Sequence, residues 1–147
     1  MKYTKLIQKF GHDILSSDSI QIEKKAIQHG NISVYDHTIA VARMCLYIND
    51  LFHLKLDEET LVRGALLHDF FLYDWHDKES WHRFHGFRHP YFALKNAKKQ
   101  FPINEKCEDM IVKHMFPLNP FPPKYKESWV LCLADKICAS KETIGRA

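Results

Sequence analysis

Glycine is scarce in this chain. Its 147 residues include five, Gly11, Gly30, Gly64, Gly86 and Gly145, the closest pair 19 apart. Neither a GxGxxG nor a GxxxxGK phosphate loop can be written, which excludes dinucleotide-binding and P-loop folds. Four cysteines, Cys45, Cys107, Cys132 and Cys138, form no CxxC pair. They read as reduced thiols, three of them in apolar helical patterns where a free Cys behaves as a small hydrophobe. Long apolar runs are missing too: the longest, near Gly64 to Tyr73, is interrupted by His68 and Asp69. The stretch Met1 to Phe10 carries three lysines and no apolar centre, so neither a membrane span nor a leader is expected and the protein reads as soluble and cytoplasmic. Charge of one sign is not in excess. The 21 basic and 18 acidic residues leave +3, too balanced for a dedicated nucleic-acid binder, and clusters such as Lys98-Lys99 or Lys124 with Lys126 read as solvated faces.

What is abundant is apolar and aromatic side chain, 46% and 13% of the residues, enough for a single domain over 1–147 that buries roughly two thirds of its unfolded surface. Histidine is also abundant, at ten residues, twice the glycines. A side chain that ligates metals and titrates near neutrality rarely accumulates for packing alone.

Hydrophobic spacing is helical nearly throughout. Over 34–53, Val41, Met44, Cys45, Ile48 and Phe52 recur at steps of three and four, with His37 on the same stripe. Asp57 is an N-cap candidate, Glu58 and Glu59 suit the first turn, and Leu61, Ala65 and His68 follow on one face of a helix ending near Asp69. His89-Pro90 places proline in a first helical turn, with Phe92, Ala93 and Ala97 inward. A further helix spans Asn104 to Met115 with His114 on its last turn, before Pro117. The four prolines of 117–123 mark an ordered loop, after which Trp129, Leu131, Cys132, Ala134 and Asp135 begin a final helix. Residues 3–15 and 18–29 read as two more amphipathic helices. With no repeat and no convincing hairpin signal, the expected architecture is an all-α bundle of five core helices preceded by N-terminal helices.

Ionisable residues interrupt these stripes at His37, His68-Asp69, His89, His114 and Asp135, at intervals of 31, 20, 25 and 21 residues. That is about the length of a helix and its loop, so five helices can aim at one point. Buried carboxylates such as Asp69 and Asp135 are costly unless paired or metal-bound. Four imidazoles with two carboxylates suit Mn, Fe, Co or Ni, with Zn or Mg also admitted. Six ligands exceed what one metal with an open position needs, so two metals bridged by Asp69 are expected, with His37, His68 and Asp135 on the first and His89 and His114 on the second.

The order His37, His68-Asp69, Asp135 resembles the H...HD...D signature of the HD superfamily of metal-dependent phosphohydrolases, over about residues 33–140. The resemblance implies a helical HD domain in which His68 and Asp69 are the catalytic pair. His89 and His114 look like the second-metal ligands of a six-ligand subgroup that includes diadenosine tetraphosphate hydrolases, HD-GYP phosphodiesterases and diiron oxygenases. Two departures matter: many members follow the HD pair with glycine and a phosphate-contacting lysine, where this chain has Phe70-Phe71-Leu72-Tyr73, and no GYP occurs. Cyclic dinucleotides are thereby disfavoured, and the substrate cation falls to Arg88, Lys113 or Lys136, each beside a candidate ligand.

Each residue also has a purely structural reading. His37, His68 and Asp69 could be capping or hydrogen-bonded core groups, Asp135 a surface residue, and His114 a helix C-cap. His82 or His85 could stand in for His89, and Arg88, Lys113 and Lys136 could be solvated charges. Asp74 and Asp77 are either partners of the ligand imidazoles or loop-turn residues, the latter favoured. His12, His29 and His53 read as surface or packing residues, and His76 has no assigned role. Residues 70–92 concentrate nine of the 19 aromatics, either a lid that stacks on a nucleobase or, slightly favoured, a satellite cluster. The expected function is hydrolysis of a small phosphate ester or phosphoanhydride, with a nucleotide as candidate substrate. A mixed-valent diiron oxygenase and a non-catalytic nucleotide-binding module are the alternatives.

Overall fold

The computed structural model describes residues 2–18, 20, 27–29, 32–69, 85–118 and 120–144, with the backbone alone at 27–29, 32, 85–92 and 143–144. The elements are α1 (Lys2–Leu15), β1 (Ile27–His29), β2 (Ile32–Ser33), α2 (Val34–Leu51), α3 (Glu58–Leu67), α4 (His85–Gln100), α5 (Glu105–Lys113) and α6 (Lys126–Ile144). The helical core expected from the spacing is present as α2 to α6. Among the described residues no helix is long and apolar enough to cross a membrane.

Two expectations are corrected. Residues 27–29, read as the end of a second N-terminal helix, form a strand paired antiparallel with β2, Ile27 opposite Ser33 and His29 opposite Ile32. Ile27 and Ile32 are β-branched, and the intervening Gly30-Asn31 is a dipeptide of hairpin type. Strands of three and two residues are too short to build a period-two pattern. The remainder of that expected helix, residues 19 and 21–26, lies outside the described residues. The second correction concerns α4, which begins at His85. Pro90 is therefore interior, and His89 lies a turn inside the helix instead of at its mouth. Proline there removes one bond, to the Gly86 carbonyl, and its ring crowds that carbonyl.

Capping sets the other starts. Ser33 accepts a hydrogen bond from the Asp36 N–H, Asp57 from the Thr60 N–H and Asn104 from the Cys107 N–H, at 3.0, 3.3 and 2.8 Å. Helix α3 is the axis of the molecule, with every residue from Thr60 to Leu67 buried and α1, α2, α4, α5 and α6 packed around it. Gly64 admits Met110 of α5 so closely that a Cβ would overlap its Sδ and Cε, and Gly11 of α1 lies in the same way against Leu66. Arg63 ties three segments together, donating to Asp13 of α1 at 2.7 and 3.1 Å, to the Phe10 carbonyl at 3.1 Å and to the Pro102 carbonyl at 3.0 Å. All four cysteines are free and buried. Burial, opposed in Cys107 by a backbone hydrogen bond, pushes the thiols of Cys107 and Cys138 up to about 11, so they are uncharged at neutral pH.

Candidate metal centre

Each helix delivers its side chain for a local reason. His37 lies on the first turn of α2, in line with Val41, Cys45 and Ile48, all buried. His68 is the C-cap of α3, its Nδ1 donating to the Ala65 carbonyl at 2.6 Å. His114 is the C-cap of α5 and repeats the device, donating to the Ile111 carbonyl at 2.7 Å. The capping function considered for His114 is thus present, and its ring still turns Nε2 toward the site. Asp69 follows His68 directly, and Asp135 projects from α6.

These side chains meet. His37, His68, Asp69 and Asp135 offer ligand atoms within 4.8 Å of one another. Asp135 Oδ1 lies 2.7 Å from His37 Nε2 and 3.2 Å from His68 Nε2. Asp69 Oδ2 is 3.3 Å from His68 Nε2 and 3.9 Å from His37 Nε2, while its Oδ1 looks the other way, 3.6 Å from His114 Nε2. The His68 ring stands edge-on to that of His114 with centroids 4.8 Å apart, and 5.5 Å from that of His37. His37, His68, Asp69 and His114 are at most 1% exposed. The Asp135 side chain retains 15% and is the most open of the set.

A residue missed from the sequence completes the arrangement. Glu142 lies two turns beyond Asp135 on α6 and accepts the His37 Nδ1 proton, its carboxylate oxygens 2.9 and 3.0 Å away. The available signal was the seven-residue step from Asp135 through buried Cys138, which puts all three on one helix face.

Three imidazoles therefore commit Nδ1–H to an acceptor and turn Nε2 inward. A neutral ring placed this way would set a lone pair against a carboxylate oxygen, so the interior calls for positive charge. The titration directions agree. Burial lowers the proton affinity of His37 and His68, but the Asp135 hydrogen bond and Asp69 charge raise the first, and the charges of Asp69 and Asp135 raise the second well above normal. Burial raises Asp135, yet the charge of His68 and the His37 hydrogen bond hold it far below the usual carboxylate range. Carboxylates that stabilise buried imidazolium stabilise a cation among neutral imidazoles equally. The C-termini of α3 and α5, both ending in the site, add partial negative charge. Mixed imidazole and carboxylate donors fit a divalent transition metal.

Of the other candidates, Lys136 and Lys113 have described side chains. Lys136 donates to the His114 carbonyl at 3.2 Å and contacts Cys132 Sγ at 3.0 Å. Lys113 is held by Asp109 at 3.1 Å and the Pro122 carbonyl at 3.3 Å. Arg88 and His89 are on the first part of α4, 85–92, whose side chains lie outside the described residues, as do His76, His82, Asp74, Asp77 and the aromatic segment 70–84. His12 and His53 are exposed, in keeping with the surface reading.

The family model described as HD domain matches residues 34–140. That interval contains His37, His68-Asp69 and Asp135 and ends short of Glu142. No curated protein and no solved structure matches the chain.

Proposed function

Since the chain belongs to the HD-domain family, a metal-dependent phosphohydrolase superfamily, we propose that it hydrolyses a small phosphate ester or phosphoanhydride, a nucleotide being the first candidate. The carrying observation is the division of Asp69, one oxygen toward His37 and His68 and the other toward His114. That disposition supports a site for two divalent ions, one of which His37, His68, Asp69 and Asp135 would hold and the other Asp69 and His114, joined by His89. When bound, such ions polarise a phosphoryl oxygen and lower the pKa of water enough to make it nucleophilic near neutrality.

The chain supplies the rest. His68 and His114 are fixed by bonds to their own helices, so their rings cannot turn away when substrate enters. Packing around the nearly inaccessible His37, His68 and Asp69 excludes water from the inner side, which strengthens electrostatic interactions there. Asp135, the more open ligand, faces the side from which substrate approaches. Lys136, Lys113 and Arg88 are the proposed phosphate contacts. Lys136 is favoured because its ammonium group sits on the backbone of His114, whereas Lys113 must first leave Asp109.

Metal analysis and phosphate release, measured together on wild type and His114→Ala, test this reading. The expected result is about two equivalents of divalent metal in the wild type, about one in the variant, and release of phosphate from nucleotides by the loaded wild type. Turnover that persists after complete metal removal overturns it. An iron-coloured protein that consumes oxygen and leaves phosphate esters intact would assign the ligands to oxygenase chemistry instead.

A further inference from the structure

His37 differs from the other two imidazoles in where its outer nitrogen goes. His68 and His114 give Nδ1–H to carbonyls of their own helices, whereas His37 gives it to a carboxylate from α6. Resting on the metal-centre reading above, we infer that Glu142 is a positioning residue of that centre, fixing the tautomer and orientation of His37 and strengthening it as a ligand.

Three observations carry this. The contact is two-pronged, with both carboxylate oxygens within 3.0 Å of Nδ1, so the ring is held in direction as well as position. It is secluded, since the His37 side chain is 0% and that of Glu142 11% exposed, which limits solvent screening. And α6 grips the ring at both nitrogens, Glu142 at Nδ1 and Asp135 at Nε2, 2.7 Å away. An anionic acceptor makes an imidazole a better electron donor than a carbonyl does, and losing such an outer partner typically weakens metal binding about 10–100-fold. Among the described residues the His37 ring is the side-chain hydrogen-bonding partner of the Glu142 carboxylate.

The test uses the full chain, stripped with a chelator and titrated with Mn2+ by calorimetry, as wild type, Glu142→Gln, Glu142→Ala and the remote control Asp13→Asn. Both Glu142 variants should bind Mn2+ about 10–100-fold more weakly at unchanged stoichiometry. The control should lose thermal stability and keep the wild-type affinity. In parallel, the His37 Nδ1–H proton of the metal-free protein should give a downfield resonance protected from solvent exchange in wild type, and that resonance should be lost in Glu142→Ala. An affinity for Glu142→Ala within about twofold of wild type overturns the inference, and so does a weakened affinity with that resonance unchanged. If the wild type binds no Mn2+, the metal-centre reading fails on its own, and the Nδ1–H resonance decides whether Glu142 orients His37.

Discussion

The two ends of α3 make an instructive pair, because both gather polar groups and only one gathers them as metal-ligating nitrogens and carboxylates. At the N-terminal end Asp57 accepts from the Thr60 N–H and hydroxyl, Asn104 donates to that hydroxyl, and Glu127 takes up Lys106. The Asp57 and Glu127 carboxylates there meet donors of the chain itself. At the C-terminal end Asp69 faces imidazole nitrogens at 3.3, 3.6 and 3.9 Å, most of them beyond hydrogen-bond length. Thr60 and Glu127 are buried at the first end, as His68 and Asp69 are at the second. What separates the two ends is the chemistry gathered there: donors matched to acceptors at one, metal-ligating nitrogens and carboxylates converging at the other.

Substitutions should pull the two ends apart. The largest effect is expected for Asp69→Ala, which removes the shared carboxylate. Activity should fall about a thousandfold, corresponding to roughly 4 kcal/mol of transition-state stabilisation. Phosphate release by the variant within about tenfold of wild type would show that Asp69 does not hold the metals. Arg63→Ala should behave oppositely. It leaves Asp13 and two carbonyls without their donor and should cost about 2–4 kcal/mol in denaturant unfolding, with metal content unchanged.

Asp109 offers a pH version of the same contrast. Burial raises its carboxyl, but the Ser128 hydroxyl, the Lys124 N–H and the Lys113 ammonium outweigh this and lower it below the ordinary value. A depressed folded-state value adds stability above the unfolded value, near pH 4, and loses it as pH falls through the folded one. Asp109→Asn should therefore lose about 1–3 kcal/mol at neutral pH, the gap to wild type closing below about pH 4. A gap that stays constant into acid would show that the charge contributes nothing. The smallest effect is expected for Asn104→Ala, about 1 kcal/mol from the lost cap of α5, seen as a lower melting temperature at undiminished metal affinity.

Much of this contrast was legible in the sequence. The stripes carrying His37, Ala65 and Met110 are long and periodic, so α2, α3 and α5 appeared, α3 with its Asp57 cap, and His68-Asp69 broke an apolar run conspicuously. The β1–β2 ribbon escaped because neither strand is long enough to alternate. Glu142 escaped for a different reason: near the end of a helix, beside Lys141, a glutamate looks like solvated charge, and only the packing of α6 on α2 brings it to His37. The alternative uses of Lys113 were hidden likewise, because its partner Pro122 belongs to a loop whose path no periodicity describes.

His68 and His114 each end a helix and supply a site nitrogen with the same ring. Adding or deleting one residue within α3 or α5 would swing the terminal imidazole by about 100° and shift it about 1.5 Å along the axis. Neither helix can change length by a single step without turning its histidine away from Asp69, so these two segments should accept replacement of side chains far more readily than insertion or deletion.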